Sequence, residues 1–119
     1  MAFWGYHTIL DVKGCDITKA TDPVYIEEFL RTLVKAIDMV PYGEPQIVHF
    51  GKNEPHLSGW TAFQMIETST ITFHFCDESG DLYADIFSCK YYDPNEVIEM
   101  VEDMFTPERI RVTYLTRQA

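Results

Sequence analysis

Positive charge, cysteine and long apolar runs are all scarce in this chain, and each scarcity removes a class of function. Nine lysines and arginines stand against nineteen aspartates and glutamates, a net charge of −10. That balance repels phosphate backbones and anionic head groups, so neither nucleic acid nor a membrane surface is an expected partner. A solvated acidic surface accounts for most of the charge, and a cationic small-molecule substrate suits the remainder. The three cysteines, Cys15, Cys76 and Cys89, are odd in number and irregular in spacing. They form neither a disulfide framework nor the clustered pairs of a zinc site, which points to a reducing, cytoplasmic setting and no metal. No stretch approaches the ~20 apolar residues of a membrane span, and the first residues carry no basic and apolar signal pattern, so a soluble, unexported protein is expected.

What is present is enough for one core. A chain of 119 residues that is 46% hydrophobic supports a single domain, residues 1–119, without internal repeat, low-complexity segment or linker. Trp4 to Val12 mixes aromatic and β-branched residues and reads as a first strand, stopped by Lys13-Gly14. Asp22 caps a helix that opens on Pro23, and Ile26, Phe29, Leu30, Leu33, Val34 and Ile37 make one apolar stripe along it. Pro41 to Pro45 breaks the chain before an extended run, Gln46 to Phe50, and Gly51 to Gly59 reads as a loop. Thr61 to Glu67, Thr70 to Cys76 and Leu82 to Ser88 are strand candidates, the last two joined by the hairpin signal Asp77-Glu78-Ser79-Gly80-Asp81. A second helix starts at Asp93-Pro94, with Glu96 three residues after the cap, and turns Val97, Ile98, Val101, Met104 and Phe105 inward. Pro107 lies beyond its end, and Ile110 to Leu115 supplies a last strand. The order predicts an α+β two-layer sandwich, a mainly antiparallel sheet with two helices on one face.

The stretch Glu67-Thr68-Ser69-Thr70-Ile71-Thr72-Phe73-His74 sets a hydroxyl and an imidazole on one strand, and a thiol, Cys89, ends the next. Taken alone, Thr68, Ser69, Thr70 and Thr72 are ordinary β-formers on a half-exposed strand. A serine at such a place attacks the carbonyl of the residue before it only where the turn is strained and a base is near. The ester so formed can eliminate to an N-terminal dehydroalanine, which hydrolyses to a pyruvoyl group with loss of ammonia.

Together with Gly5-Tyr6-His7, Gly14-Cys15-Asp16, Gly59-Trp60-Thr61-Ala62 and Ala84-Asp85-Ile86-Phe87-Ser88-Cys89, this stretch resembles the short prokaryotic S-adenosylmethionine decarboxylases. In that family a Gly-x-Ser-Gly segment precedes a Glu-Ser-His processing site, a histidine follows five residues after the cleaved serine, and a cysteine twenty after it. Ser69, His74 and Cys89 keep those intervals. The resemblance implies self-cleavage between Thr68 and Ser69, with Ser69 becoming a covalent pyruvoyl cofactor. It implies that His74 assists processing as base or acid, that Thr61 stands for a family serine in the same step, and that Cys89 protonates the substrate α-carbon. The pyruvoyl ketone would form a Schiff base with S-adenosylmethionine and draw off electrons as carbon dioxide leaves, supplying aminopropyl groups for spermidine synthesis. Glu78 stands where the family has an acidic residue near the substrate, and Trp4, Phe50 and Trp60 are candidates for stacking on adenine.

The family's Glu-Ser-His is Thr68-Ser69-Thr70 here, with Glu67 one residue upstream, and its His-Thr-Trp-Pro-Glu is His74-Phe75-Cys76-Asp77-Glu78. A second register would make Thr68 the nucleophile and yield a ketobutyryl group, at the expense of the His74 and Cys89 intervals; Ser69 is the preferred reading. Two functional alternatives stand beside the first, a pyruvoyl decarboxylase of arginine or ornithine and an unprocessed, non-catalytic binding homologue. His7, His49 and His56 are read as structural or surface histidines, Cys15 and Cys76 as small buried residues, and Tyr91-Tyr92 as packing at an edge or subunit interface. A protomer of this size exposes much of one sheet face, so a homodimer joining sheets edge to edge is expected.

Overall fold

The structure is a computed structural model that describes residues 2–119. Its strands are β1 (Gly5–Lys13), β2 (Gln46–Phe50), β3 (Gly59–Ile66), β4 (Ser69–Phe75), β5 (Leu82–Ser88) and β6 (Arg109–Arg117), and its helices are α1 (Ile17–Ala20), α2 (Pro23–Ala36) and α3 (Pro94–Phe105). All six strands form one sheet in the order β2-β3-β4-β5-β1-β6, every neighbouring pair antiparallel. The first strand is therefore inserted beside the fifth, and the last closes the far edge. Among the described residues no helix is long and apolar enough to cross a membrane.

The alternation read from the sequence sorts the sheet into a covered and an open face. Leu10, Val12, Ala62, Ile66, Ile71, Phe73, Phe75, Leu82, Ala84 and Ile86 are buried with the apolar stripes of α2 and α3. Phe29 of α2 meets Phe73 and Phe105 edge-on at 5.1 and 4.9 Å, and Phe105 of α3 also meets Phe75 at 5.3 Å. These aromatic contacts lock both helices onto β4. Asp22 accepts the Val24 and Tyr25 N–H groups and Asp93 accepts the Asn95 N–H, so both expected caps form.

A third helix, the single turn α1, was beyond periodicity because it has only four residues. Asp16 caps it by accepting the Thr18 N–H and hydroxyl. Cys15 is buried as expected, whereas Cys76 is half-buried at a hairpin rim with its thiol 3.6 Å from the His56 carbonyl. No helix reaches over β6, and of its residues only Ile110 is even half-buried.

Candidate active site

The β3–β4 connection is the tightest in the sheet. Ile66 pairs with Ser69, leaving Glu67 and Thr68 as a two-residue loop, and Ser69 pairs with Ser88 on the other side. Two-residue loops commonly place positive φ on a central residue. Here neither Glu67 nor Thr68 takes it; the first strand residue, Ser69, does, at φ 151°, a conformation that glycine adopts freely and that costs a side-chain-bearing residue on the order of 1–3 kcal/mol. The surroundings hold it there. Glu67 donates its N–H to the Val40 carbonyl, and Cys89 donates its N–H to the Thr68 carbonyl, each at 2.9 Å. The carbonyl that a Ser69 hydroxyl would attack is thus polarised by the backbone N–H of Cys89, twenty positions after Ser69. The Cys89 thiol itself is free and exposed.

Thr61 and His74 face each other across β3 and β4, with Thr61 Oγ1 and His74 Nδ1 3.1 Å apart. They belong with Thr70, Thr72, Tyr83 and Phe87 on the open face, where Thr70 pairs with Phe87 and His74 with Tyr83. His74 follows Ser69 by five residues along one strand, a separation of roughly 16 Å at ~3.3 Å per residue. Within one protomer, then, Ser69 and Cys89 come together at one end of the sheet, and Thr61 and His74 lie together towards the other.

A sequence profile of the family described as S-adenosylmethionine decarboxylase matches residues 6–118. The chain belongs to the S-adenosylmethionine decarboxylase family. Among its relatives in the family, an S-adenosylmethionine decarboxylase proenzyme of Clostridium botulinum is 27% identical over 118 residues, 98% of this chain and 97% of that protein. Proenzymes of the same name from Bacillus velezensis and Pyrococcus furiosus are 31% identical over 103 residues (87% and 77% of the two chains) and 26% identical over 114 residues (95% and 78%). The fold is also that of the crystal structure of the adenosylmethionine decarboxylase from Aquifex aeolicus. That chain has a TM-score of 0.82 and 22% identity, and the match covers 100% of this chain and 94% of the other.

The remaining residues singled out through the family resemblance divide between the two ends. Trp4 is 59% exposed and lies against Phe87, ring centroids 6.0 Å apart. The Trp4 backbone N–H donates to Gln118 Oε1 at 3.0 Å, and with Phe87 and Arg117 the residue lines a cleft of about 400 Å³. Phe87 pairs with Thr70, next to the Ser69–Ser88 pair, so this cleft adjoins the Ser69 end. Phe50 is exposed at the end of β2, opposite Gly59, and Glu78 is in the β4–β5 hairpin beside His56 and Tyr83. Both border the His74 end. Trp60 points to the helix side, half-buried against the core and edge-on to His49 at 5.0 Å.

Two polar groupings went unread in the sequence. On the open face His7 Nε2 lies 3.0 Å from Asp85 Oδ1 and His7 Nδ1 lies 3.4 Å from the Arg117 guanidinium, which also stacks on Phe87 at 5.1 Å. At the far end His49 Nε2 meets Asp77 Oδ2 at 2.6 Å, and the Ser58 hydroxyl donates to the same oxygen at 3.0 Å. The signal for the first was the Gly5-Tyr6-His7 and Ala84-Asp85 segments. Only the β1–β5 pairing brings them together.

Proposed function

We propose that this chain is a proenzyme that cuts itself between Thr68 and Ser69 and then decarboxylates S-adenosylmethionine, yielding the aminopropyl donor of spermidine synthesis. The observation that carries the reading is the backbone at Ser69, a side-chain-bearing residue at φ 151° directly after a carbonyl that accepts the Cys89 N–H. In the first step Ser69 Oγ bonds to the Thr68 carbonyl carbon, the Thr68–Ser69 C–N bond breaks, and the hydroxyl proton passes to the Ser69 nitrogen. The Cys89 N–H faces the oxygen on which charge develops, the placement that stabilises an oxyanion. Loss of the Ser69 Cα proton with rupture of the Cβ–O bond then releases Thr68 as a carboxylate. One water converts the dehydroalanine to a pyruvoyl group and ammonia. The residues at position 69 fit that group: the serine is already at the head of a strand, held between β3 and β5.

Once formed, the pyruvoyl group supplies an electrophilic ketone that accepts the electrons of the broken carboxylate bond. Cys89, an exposed thiol at the same end, delivers the proton that replaces carbon dioxide. Trp4 and Phe87 offer aromatic faces for adenine in the adjoining cleft. Occupation of the Thr68 hydroxyl by Ser88 Oγ, 2.7 Å away, supports Ser69 rather than Thr68 as nucleophile.

The distance between Ser69 and His74 supports a homodimer in which each site is shared. A second copy brings its Thr61–His74 pair, with Phe50 and Glu78, to the first copy's Ser69 and Cys89. Joining sheets at their edges does not achieve this, because β4 is third of six strands and β2-to-β2 pairing leaves the two β4 strands roughly 24 Å apart at ~4.8 Å per strand. The partner is instead proposed to cover the open face, where Val48, Phe50, Met65 and Leu115 are all more than 40% exposed.

Intact mass under denaturing conditions tests cleavage. Fragments 1–68 and 69–119, the second carrying a ketone in place of its amine, are expected, followed by carbon dioxide release from S-adenosylmethionine and not from arginine or ornithine. A single uncut chain would overturn the reading. Release from a basic amino acid instead would move the substrate. Mixing Ser69→Ala with His74→Ala chains tests sharing, since each is inert alone and a mixed dimer recovers one competent site. No recovery would place His74 outside the partner's site.

A further inference from the structure

On the helix side of the scissile peptide lies a chain of polar groups that the reaction steps do not use. Ser88 is fully buried. Its Oγ accepts the Lys90 N–H at 3.0 Å, lies 2.7 Å from Thr68 Oγ1 and 3.6 Å from Met39 Sδ, and Thr68 Oγ1 lies 3.4 Å from the same sulfur. One assignment satisfies every proton: Lys90 N–H to Ser88, Ser88 O–H to Thr68, Thr68 O–H to the soft acceptor Met39. The segment carrying Met39 is itself fastened, because Lys90 Nζ donates to the Asp38 carbonyl at 2.6 Å and to Asp38 Oδ2 at 3.0 Å.

We infer that the Thr68–Ser88 hydroxyl pair, seated on Met39, is a positioning clasp that keeps the Thr68–Ser69 peptide in its strained conformation and so sets the rate of self-cleavage. The inference rests on the self-cleavage proposed above. A strained φ persists only where surrounding contacts over-determine it. The Glu67 and Cys89 backbone bonds fix the turn along the sheet; rotation of the Thr68–Ser69 peptide, which would relieve the strain at Ser69 and swing the carbonyl carbon away from the Ser69 hydroxyl, is opposed among them only by the single Cys89 bond to the Thr68 carbonyl. The side chain of Thr68 is the remaining handle, and Ser88 holds it from a rigid strand end. Small misplacements of reacting atoms cost large factors in rate. Because both hydroxyls are engaged with each other and with Met39, Thr68 and Ser88 are positioning residues rather than groups that touch the reacting atoms.

The test follows cleavage by intact mass after cell-free synthesis of the full chain. Thr68→Val, which keeps the shape and removes the hydroxyl, and Ser88→Ala are each expected to slow cutting by about ten-fold or more. Thr68→Ser is expected to stay within about three-fold of wild type, and the double variant to be no slower than its slower parent. The same substitutions in an uncleavable Ser69→Ala chain report folding, and a melting point close to that chain's is expected. Wild-type cutting with unchanged rates in Thr68→Val and Ser88→Ala overturns the clasp alone, as does equal slowing by Thr68→Ser or simple addition in the double variant. An uncut wild type overturns the clasp and the self-cleavage reading together.

Discussion

The two hairpins flanking β4 meet the same backbone demand with different residues. At its far end β4 passes into β5 through Cys76 to Asp81, and the positive φ of that turn, 74°, falls on Gly80, where a side chain would collide with the Cys15 carbonyl at 2.5 Å. Glycine carries such a conformation without strain. At its near end β4 begins on Ser69, and the positive φ there, 151°, falls on a residue with a hydroxymethyl group. One turn is relaxed and the other is held under strain by the Thr68, Ser88 and Cys89 contacts. Glycine removes the strain within the second turn, whereas Ser69 keeps it at the head of β4, and the proposed self-cleavage would draw on that difference.

Substituting the strained residue gives the largest effect. Ser69→Ala is expected to abolish fragmentation altogether, and two fragments from that variant would refute the register. Cys89→Ala separates two contributions at the same hairpin. It keeps the backbone N–H on the Thr68 carbonyl, so cutting should proceed, while loss of the thiol should lower kcat by about 100-fold or more. An uncut Cys89→Ala chain would mean that the side chain, not the backbone, serves processing.

Stability changes of opposite sign are expected at the two turns. Gly80→Ala places a Cβ against the Cys15 carbonyl at positive φ and should cost about 1–3 kcal/mol in urea unfolding, with the rate of self-cleavage unchanged. Ser69→Gly, also uncleavable, should exceed Ser69→Ala in stability by roughly 1 kcal/mol, because glycine accepts the native φ. Equal stabilities would mean that no strain resides at position 69. The smallest effect is alkaline. Burial, and secondly Asp81, pushes the Cys15 thiol from its ordinary 9.0 up to about 12. The folded chain therefore holds a proton that the unfolded chain loses, and stability is full below pH 9 and falls as pH rises towards 12. Burial raises Tyr92 in the same sense, from 10.0 to about 12. Since Cys15 donates its N–H to the Gly80 carbonyl, the relaxed hairpin should lose hydrogen-exchange protection first, and Cys15→Ala should flatten the decline just above pH 9.

Much of the fold was legible because its signals are local. The Asp22-Pro23 and Asp93-Pro94 starts, the alternation of Ile71, Phe73 and Phe75 with Thr70, Thr72 and His74, and the Asp77 to Asp81 turn each report on neighbouring residues, and each recurs in the structure. The single turn α1 was too short to show a period. The edge strand β6 ran longer at both ends than its apolar residues suggested, because Arg109 and Arg117 extend pairing with β1 without burying anything. Of the candidate site, the intervals from Ser69 to His74 and Cys89 were readable, but not that one interval spans a strand lengthwise while the other folds back across a hairpin. His7 with Asp85, and Ser88 with Thr68 and Met39, were silent, since residues 78, 20 and 49 positions apart meet only in the folded chain.

By itself the sequence determined the family, the two capped helices, the inward face of each strand and the candidate nucleophile, because these depend on residue type and short spacing. The tertiary structure alone decided that β1 lies beside β5, that Ser69 bears the strain of its turn, and that Ser69 and His74 lie far apart on one strand. Each of these depends on which strands pair and in what register, and hydrogen bonds between distant segments set that, leaving no periodic trace in the chain.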